Sequence, residues 1–275
     1  MGRQRGSPPR PRSAPGRGGL GSGRFAPAWG AEVVSSNIVG YEKITLSTGF
    51  NAIGVQFVQV GGSTLPLDSV GTLDAGIPGV DEEGEYSTEM QVWNGNGYDY
   101  YAWSGTGMGD NFDSPELDNK WLNLDLEDHN EMAPAGSAFW IKAGAAGTMT
   151  ISGQVPDSDT MTADIAAGFN LVGNPYPGTV SIFEFGKLSS DFAGIDEEGE
   201  YSTEMQVWNG NGYDYYVWSG TGMGDNFDSP ELDNKWLNLD LEEPTGETVA
   251  FGHAVWIKAP NAGTITFTAP TSAGN

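Results

Sequence analysis

The stretch Thr88-Glu89-Met90-Gln91-Val92-Trp93-Asn94-Gly95-Asn96-Gly97-Tyr98-Asp99-Tyr100-Tyr101-Ala102-Trp103 decides the fold. Its first six residues alternate, with Met90 and Val92 on one face, as a half-buried strand requires. Asn-Gly then supplies the positive φ of a tight hairpin turn, and the chain returns through six residues rich in aromatics. The same text recurs at Thr203 to Trp218 with one change, Ala102 against Val217.

Working outward, Asp81 to Glu127 reappears as Asp196 to Glu242. Fainter matches flank this block. Gly49-Phe50-Asn51-Ala52-Ile53-Gly54 answers Gly168 to Gly173, Ala138 to Ala143 answers Ala254 to Ala259, and Gly147 to Ile151 answers Gly263 to Phe267. The matched segments keep their order, so the chain divides into residues 1–31, a first repeat over 32–153 and a second over 154–275. Each repeat is long enough to bury a core of its own. Ile38 to Leu46 and Phe50 to Val60 read as strands. Ser137 to Ala143 and Thr148 to Ser152 read as a second hairpin around Gly144 to Gly147. A short helical turn fits Ile182 to Leu188. Short, evenly spaced strands with Gly, Asn, Asp and Pro between them predict an all-β chain of two tandem sandwich or barrel-like domains.

Composition narrows the function classes. Cysteine is absent, which excludes disulfides, thiolate metal sites and thiol nucleophiles. No apolar run reaches the ~18 residues of a membrane span, so membrane insertion is not expected. The formal charge is -25, yet six of the twelve basic residues lie between Arg3 and Arg24. All 37 acidic residues lie beyond residue 31, against six basic ones, which repels nucleic-acid phosphates. Residues 1–31 read as a disordered basic segment or as the remnant of a signal peptide. Ala28-Trp29-Gly30 has small residues at the spacing of a signal-peptidase site, but an apolar h-region is missing.

The chemistry-bearing candidates are few. The two histidines, His129 and His253, have no counterparts in the other repeat, which argues against a duplicated catalytic site. Ser104 to Gly109 looks like a phosphate loop, but no Lys follows and Asp110, Asn111 and Asp113 would repel an anion; a plain loop is expected there. The acidic stretch Asp110, Asn111, Asp113, Glu116 and Asp118, with its twin Asp225, Asn226, Asp228, Glu231 and Asp233, offers the oxygen donors calcium takes, against a solvated acidic loop as the plainer alternative. No cofactor is required. Paired carboxylates raise glycoside hydrolysis as a third function class, disfavoured because they sit in polar loops. The aromatics Trp93, Tyr101, Trp103, Trp208, Tyr216 and Trp218 are candidate stacking residues for a sugar, or for self-association, if their strand face is open.

Gly168-Phe169-Asn170-Leu171-Val172-Gly173-Asn174-Pro175-Tyr176-Pro177 resembles a motif of β-rich modules in exported surface proteins of environmental Gram-negative bacteria. Val207-Trp208, Tyr213, Tyr215 and His253-Ala254-Val255-Trp256-Ile257-Lys258 extend the resemblance, as does Ser36 to Leu46. The first repeat departs from it, with Val55-Gln56-Phe57 where the second has Asn174-Pro175-Tyr176. The resemblance implies an extracellular or outer-surface location and a β fold, and no chemistry. The expected function is an exported, non-catalytic structural or interaction protein, with a carbohydrate-binding module, calcium-assisted or not, as the alternative; the expected partner is an extracellular glycan or another copy of the chain.

Overall fold

In the computed structural model the described residues are 39–270. The expected basic segment and the signal-like Ala28-Trp29-Gly30 lie outside them. The first repeat contains β1 (Val39–Leu46), β2 (Gly49–Gly54), β3 (Thr64–Pro66), β4 (Thr72–Leu73), β5 (Glu89–Trp93), β6 (Tyr98–Trp103), the short helix α1 (Gly107–Phe112), β7 (Trp121–Leu122), β8 (Met132–Pro134), β9 (Ala138–Ala143) and β10 (Gly147–Gln154). The second repeats the order with β11 (Thr160–Ile165), β12 (Gly168–Gly173), β13 (Val180–Ser181), β14 (Lys187–Leu188), β15 (Glu204–Trp208), β16 (Tyr213–Trp218), α2 (Gly222–Phe227), β17 (Trp236–Leu237), β18 (Thr248–Val249), β19 (Ala254–Ala259) and β20 (Gly263–Thr268). The chain is all-β, and no described helix is long and apolar enough to cross a membrane.

Each repeat stacks a three-stranded sheet on a five-stranded one. The orders are β1-β10-β4 and β2-β9-β5-β6-β7 in the first, and β11-β20-β14 and β12-β19-β15-β16-β17 in the second. Alternation explains the layering. In β1, Ile44 and Leu46 point inward while Lys43 and Thr45 point out. They meet Met149 and Ile151 of β10 and, from the five-stranded sheet, Met90, Tyr101, Trp103, Phe139 and Ile141. The second repeat has its own core, around Trp218, Trp236, Ile257 and Ile265. The expected hairpins β5-β6 and β15-β16 form as read: Asn94 Oδ1 accepts from the Asn96 and Gly97 N–H groups, and Gly95 takes φ 94°.

Two local expectations are corrected. Ser137–Ala143 and Thr148–Ser152 are consecutive but unpaired: β9 stays in the five-stranded sheet, while β10 crosses to the other and pairs β1 over eight residues. The reason is core closure. Phe139 and Ile141 face Met149 and Ile151 from opposite layers, which a hairpin within one sheet would prevent. The corner is clamped by the Gly144 N–H donating to Thr88 Oγ1 at 3.1 Å. The loop after Ser104 also turns helical over Gly107–Phe112, stopped by Asp113 in the left-handed region at φ 56°. The helical turn expected near Ile182 is present as a 3-10 turn, Ile182–Glu184.

Candidate functional site

The five-stranded sheets have a second face, turned away from the core, and the repeats dock through it. β2 and β9 present small residues there, Ala52 and Ala138, beside Trp140; β19 presents Ala254 beside Trp256. Small side chains let the two backbones approach. Gly54 and Gly173 meet where a Cβ on Gly173 would lie 2.7 Å from Gly54 Cα, so only glycine fits. The indoles of β5 and β15 reach across. Trp93 Nε1 donates to Phe169 O at 2.8 Å, and Trp208 Nε1 donates to Phe50 O at 3.2 Å. Trp93 packs edge-on against Trp256 at 5.6 Å, and Trp208 against Trp140 at 5.9 Å. Each of these contacts thus occurs twice with the repeats exchanged, the signature of an approximate two-fold axis.

The docking leaves a cleft of about 290 Å3 lined by Phe50, Gln91, Tyr98 and Trp140 of the first repeat and Trp208 and Tyr213 of the second. Its two-fold counterparts are Phe169, Gln206, Tyr213, Trp256, Trp93 and Tyr98. Phe50 and Phe169 are 45% and 44% exposed, so these rings are open to solvent rather than spent on packing. Phe50 stands edge-on to Trp140 at 6.1 Å and Phe169 to Trp256 at 5.9 Å. The polar groups are oriented in advance. Gln91 Nε2 donates to Glu89 Oε1 at 2.6 Å, and Lys142 Nζ lies 3.4 Å from the same oxygen. Gln206, Glu204 and Lys258 repeat this arrangement at 2.7 and 3.5 Å. Burial pushes the Tyr98 and Tyr213 phenols above their ordinary value, so both keep their protons at neutral pH and can donate. Aromatic faces beside an amide and phenols suit a ligand with apolar C–H patches and hydroxyls.

The structure sorts the aromatics expected to stack. Trp93 and Trp208 stand on the docking face. Tyr101, Trp103, Tyr216 and Trp218 are corrected: they fill the cores, at 6%, 1%, 5% and 1% exposure, and offer no face to a ligand. Both faces of β6 carry rings, and the register that places Met90 in the core puts Tyr101 and Trp103 there too. The residues missed were Phe50, Trp140, Phe169 and Trp256, with Tyr98, Tyr213 and the two glutamines. One signal was available: Ala-Phe-Trp-Ile-Lys in β9 is apolar on both faces, as in a strand covered on both sides.

In the acidic stretches several polar side chains engage local partners. Asp118 Oδ1 accepts from the Gly109 N–H at 2.7 Å, Asp110 Oδ2 from Thr106 Oγ1 at 2.8 Å, and Asn111 donates to Val80 O. Asp113 ends α1 and Glu116 lies in a separate 3-10 turn. Asp233, Asp225, Asn226, Asp228 and Glu231 repeat these roles around α2. Among the described residues no three His, Cys, Asp or Glu side chains gather as a ligand set. One carboxylate oxygen each of Asp110, Asp118, Asp225 and Asp233 thus accepts from a local donor. His129 stacks on Tyr101 with its Nε2 3.0 Å from Trp121 O. His253 sits in the seam, where burial lowers its pKa and keeps it neutral.

Comparison with family models, curated proteins and solved structures finds no match for this chain.

Proposed function

We propose that the chain is an exported, non-catalytic interaction protein, that its interaction site is the aromatic cleft between the repeats, and that its ligand is carbohydrate. One observation carries this reading: solvent-open Phe50 and Phe169, each beside a tryptophan, stand with oriented glutamines at the seam where the repeats meet. Pyranose rings present C–H patches to aromatic faces and hydroxyls to amides and phenols. The resemblance to exported surface modules and the acidity of the chain support an extracellular setting.

A glycan array tests the ligand class. The wild-type chain should bind a reproducible subset of glycans, and Phe50→Ala with Phe169→Ala should abolish that binding without lowering Tm by more than a few degrees. Fractionation of the native cells tests the location; retention of the chain in the cytoplasm would defeat the export reading.

A further inference from the structure

A second cavity, of about 390 Å3, adjoins the aromatic cleft, and Phe50 and Trp208 line both. The two residues are tied to each other, because Trp208 Nε1 donates to Phe50 O at 3.2 Å. The indole is further held edge-on against Trp140 at 5.9 Å and Tyr213 at 5.1 Å. Past this pair the lining changes from aromatic to hydroxyl. The second cavity runs out to Ser47 and Thr48 in the turn between β1 and β2, to Thr248 in β18 and to His253 ahead of β19. Both repeats therefore contribute to it, as both contribute to the cleft.

The groups at its far end are held by local structure. Asn51 Oδ1 accepts from the Ser47 N–H at 2.9 Å and Asn51 Nδ2 donates to Ser47 O at 2.8 Å, which clamps the turn with Thr48 exposed on it. The Gly54 N–H donates to Gly252 O at 2.9 Å and Ile53 bridges to His253, which fixes the backbone under the imidazole. A neutral imidazole donates from one ring nitrogen and accepts at the other, and each hydroxyl does both. A polyhydroxylated ligand needs such two-way partners.

Size then bears on the ligand. The cleft alone, at about 290 Å3, stands at the small end of the ~300–1,000 Å3 of ordinary ligand sites. A compact ligand would occupy it and leave Thr48, Thr248 and His253 without a role. A chain of sugar units continues past it, with ring faces on Phe50 and Trp208 and hydroxyls on the groups beyond. Resting on the carbohydrate reading above, we infer that the ligand is an oligosaccharide chain bound across both cavities, past Phe50 and Trp208, and not a single terminal sugar.

The test is isothermal titration of the full chain with β-1,4-linked oligomers of glucose, mannose, xylose and galactose, each from two to six units. In the series that binds, the hexamer should bind at least about thirtyfold more tightly than the dimer, about 2 kcal/mol. Thr48→Ala and His253→Ala should each remove at least about fivefold from hexamer affinity and leave the dimer within about twofold. Thr48 lies exposed on a turn, so its variant should keep the wild-type Tm and decides the matter if His253→Ala fails to fold.

Equal affinity for dimer and hexamer overturns the inference and leaves the carbohydrate reading intact. So does a gain with length that Thr48→Ala does not diminish, or a loss in that variant shared equally by dimer and hexamer. Binding to no oligomer of the panel also overturns it, and a glycan array without a bound sugar takes the carbohydrate reading with it.

Discussion

The first and second repeats share a nearly identical block of 47 residues, yet the strands around it have drifted apart. The block supplies β5, β6 and β7, or β15, β16 and β17, so each repeat brings the same Trp, Tyr and Gln side chains to the seam. The frame is less alike. Glu42 and Met161 occupy equivalent places, each two residues before its next inward neighbour and paired with Ile151 and Phe267 respectively. Trp121 and Trp236 are equally buried, but only Trp236 Nε1 has a partner, Phe185 O at 2.8 Å; Trp121 Nε1 has none among the described residues. A sandwich tolerates such drift because its demand on the frame is inward apolar volume at alternate positions, whereas the docking face is held to particular groups at particular atoms.

Replacing Trp121 or Trp236 by Ala should break either core most severely, by about 3–5 kcal/mol in denaturant unfolding. Replacement by Phe separates the two. Trp236→Phe abandons a buried carbonyl and should cost about 1 kcal/mol more than Trp121→Phe, which removes an unpaired donor. Equal losses would mean that the indole partner is immaterial.

Glu42 sharpens the comparison through pH. It is 5% exposed, and burial raises its carboxyl pKa to about 7. Gln56, oriented to donate to Glu42 Oε2 at 3.0 Å and accept from the Gly252 N–H, links it to the second repeat. The folded chain holds this proton more tightly than the unfolded chain. Its contribution is therefore complete below pH about 4.5 and lost as pH rises through about 7, by at most about 3 kcal/mol. In Glu42→Gln that part of the stability difference between pH 5 and pH 8 should vanish. An unchanged pH profile would show that Glu42 ionises freely in the fold.

The seam should respond symmetrically and less strongly. Gly54→Ala and Gly173→Ala each force backbone apart and should cost about 1–3 kcal/mol, in Tm as in denaturant midpoint. Trp93→Phe and Trp208→Phe each remove one cross-repeat hydrogen bond, about 1 kcal/mol apiece. A clear inequality within either pair would show that the two-fold relation is geometric but not energetic.

Much of the frame was legible because its signals are local. Asn94-Gly95 sets a hairpin through its own φ, and alternation in Met90 to Trp93 needs no knowledge of the partner strand. The docking face was not legible for the opposite reason. Rings on both sides of β6 give period-2 alternation no way to say which side meets the core and which meets the other repeat. The corner at Gly144 to Gly147 was misread because a tetrapeptide with glycine at both ends fits a hairpin as well as a change of sheet. In the acidic stretch, oxygen count does not reveal where oxygens point: Asp118 and Asp110 turn toward Gly109 and Thr106.

Self-complementary contacts between like halves are saturated once they are made. With Gly54 against Gly173 and each indole on the other half's carbonyl, the pair leaves no unused copy of this face for a third. A lengthened chain of such units could not grow as a continuous stack through this contact. It would fold as beads of two, and an odd copy would be left with its tryptophans facing water.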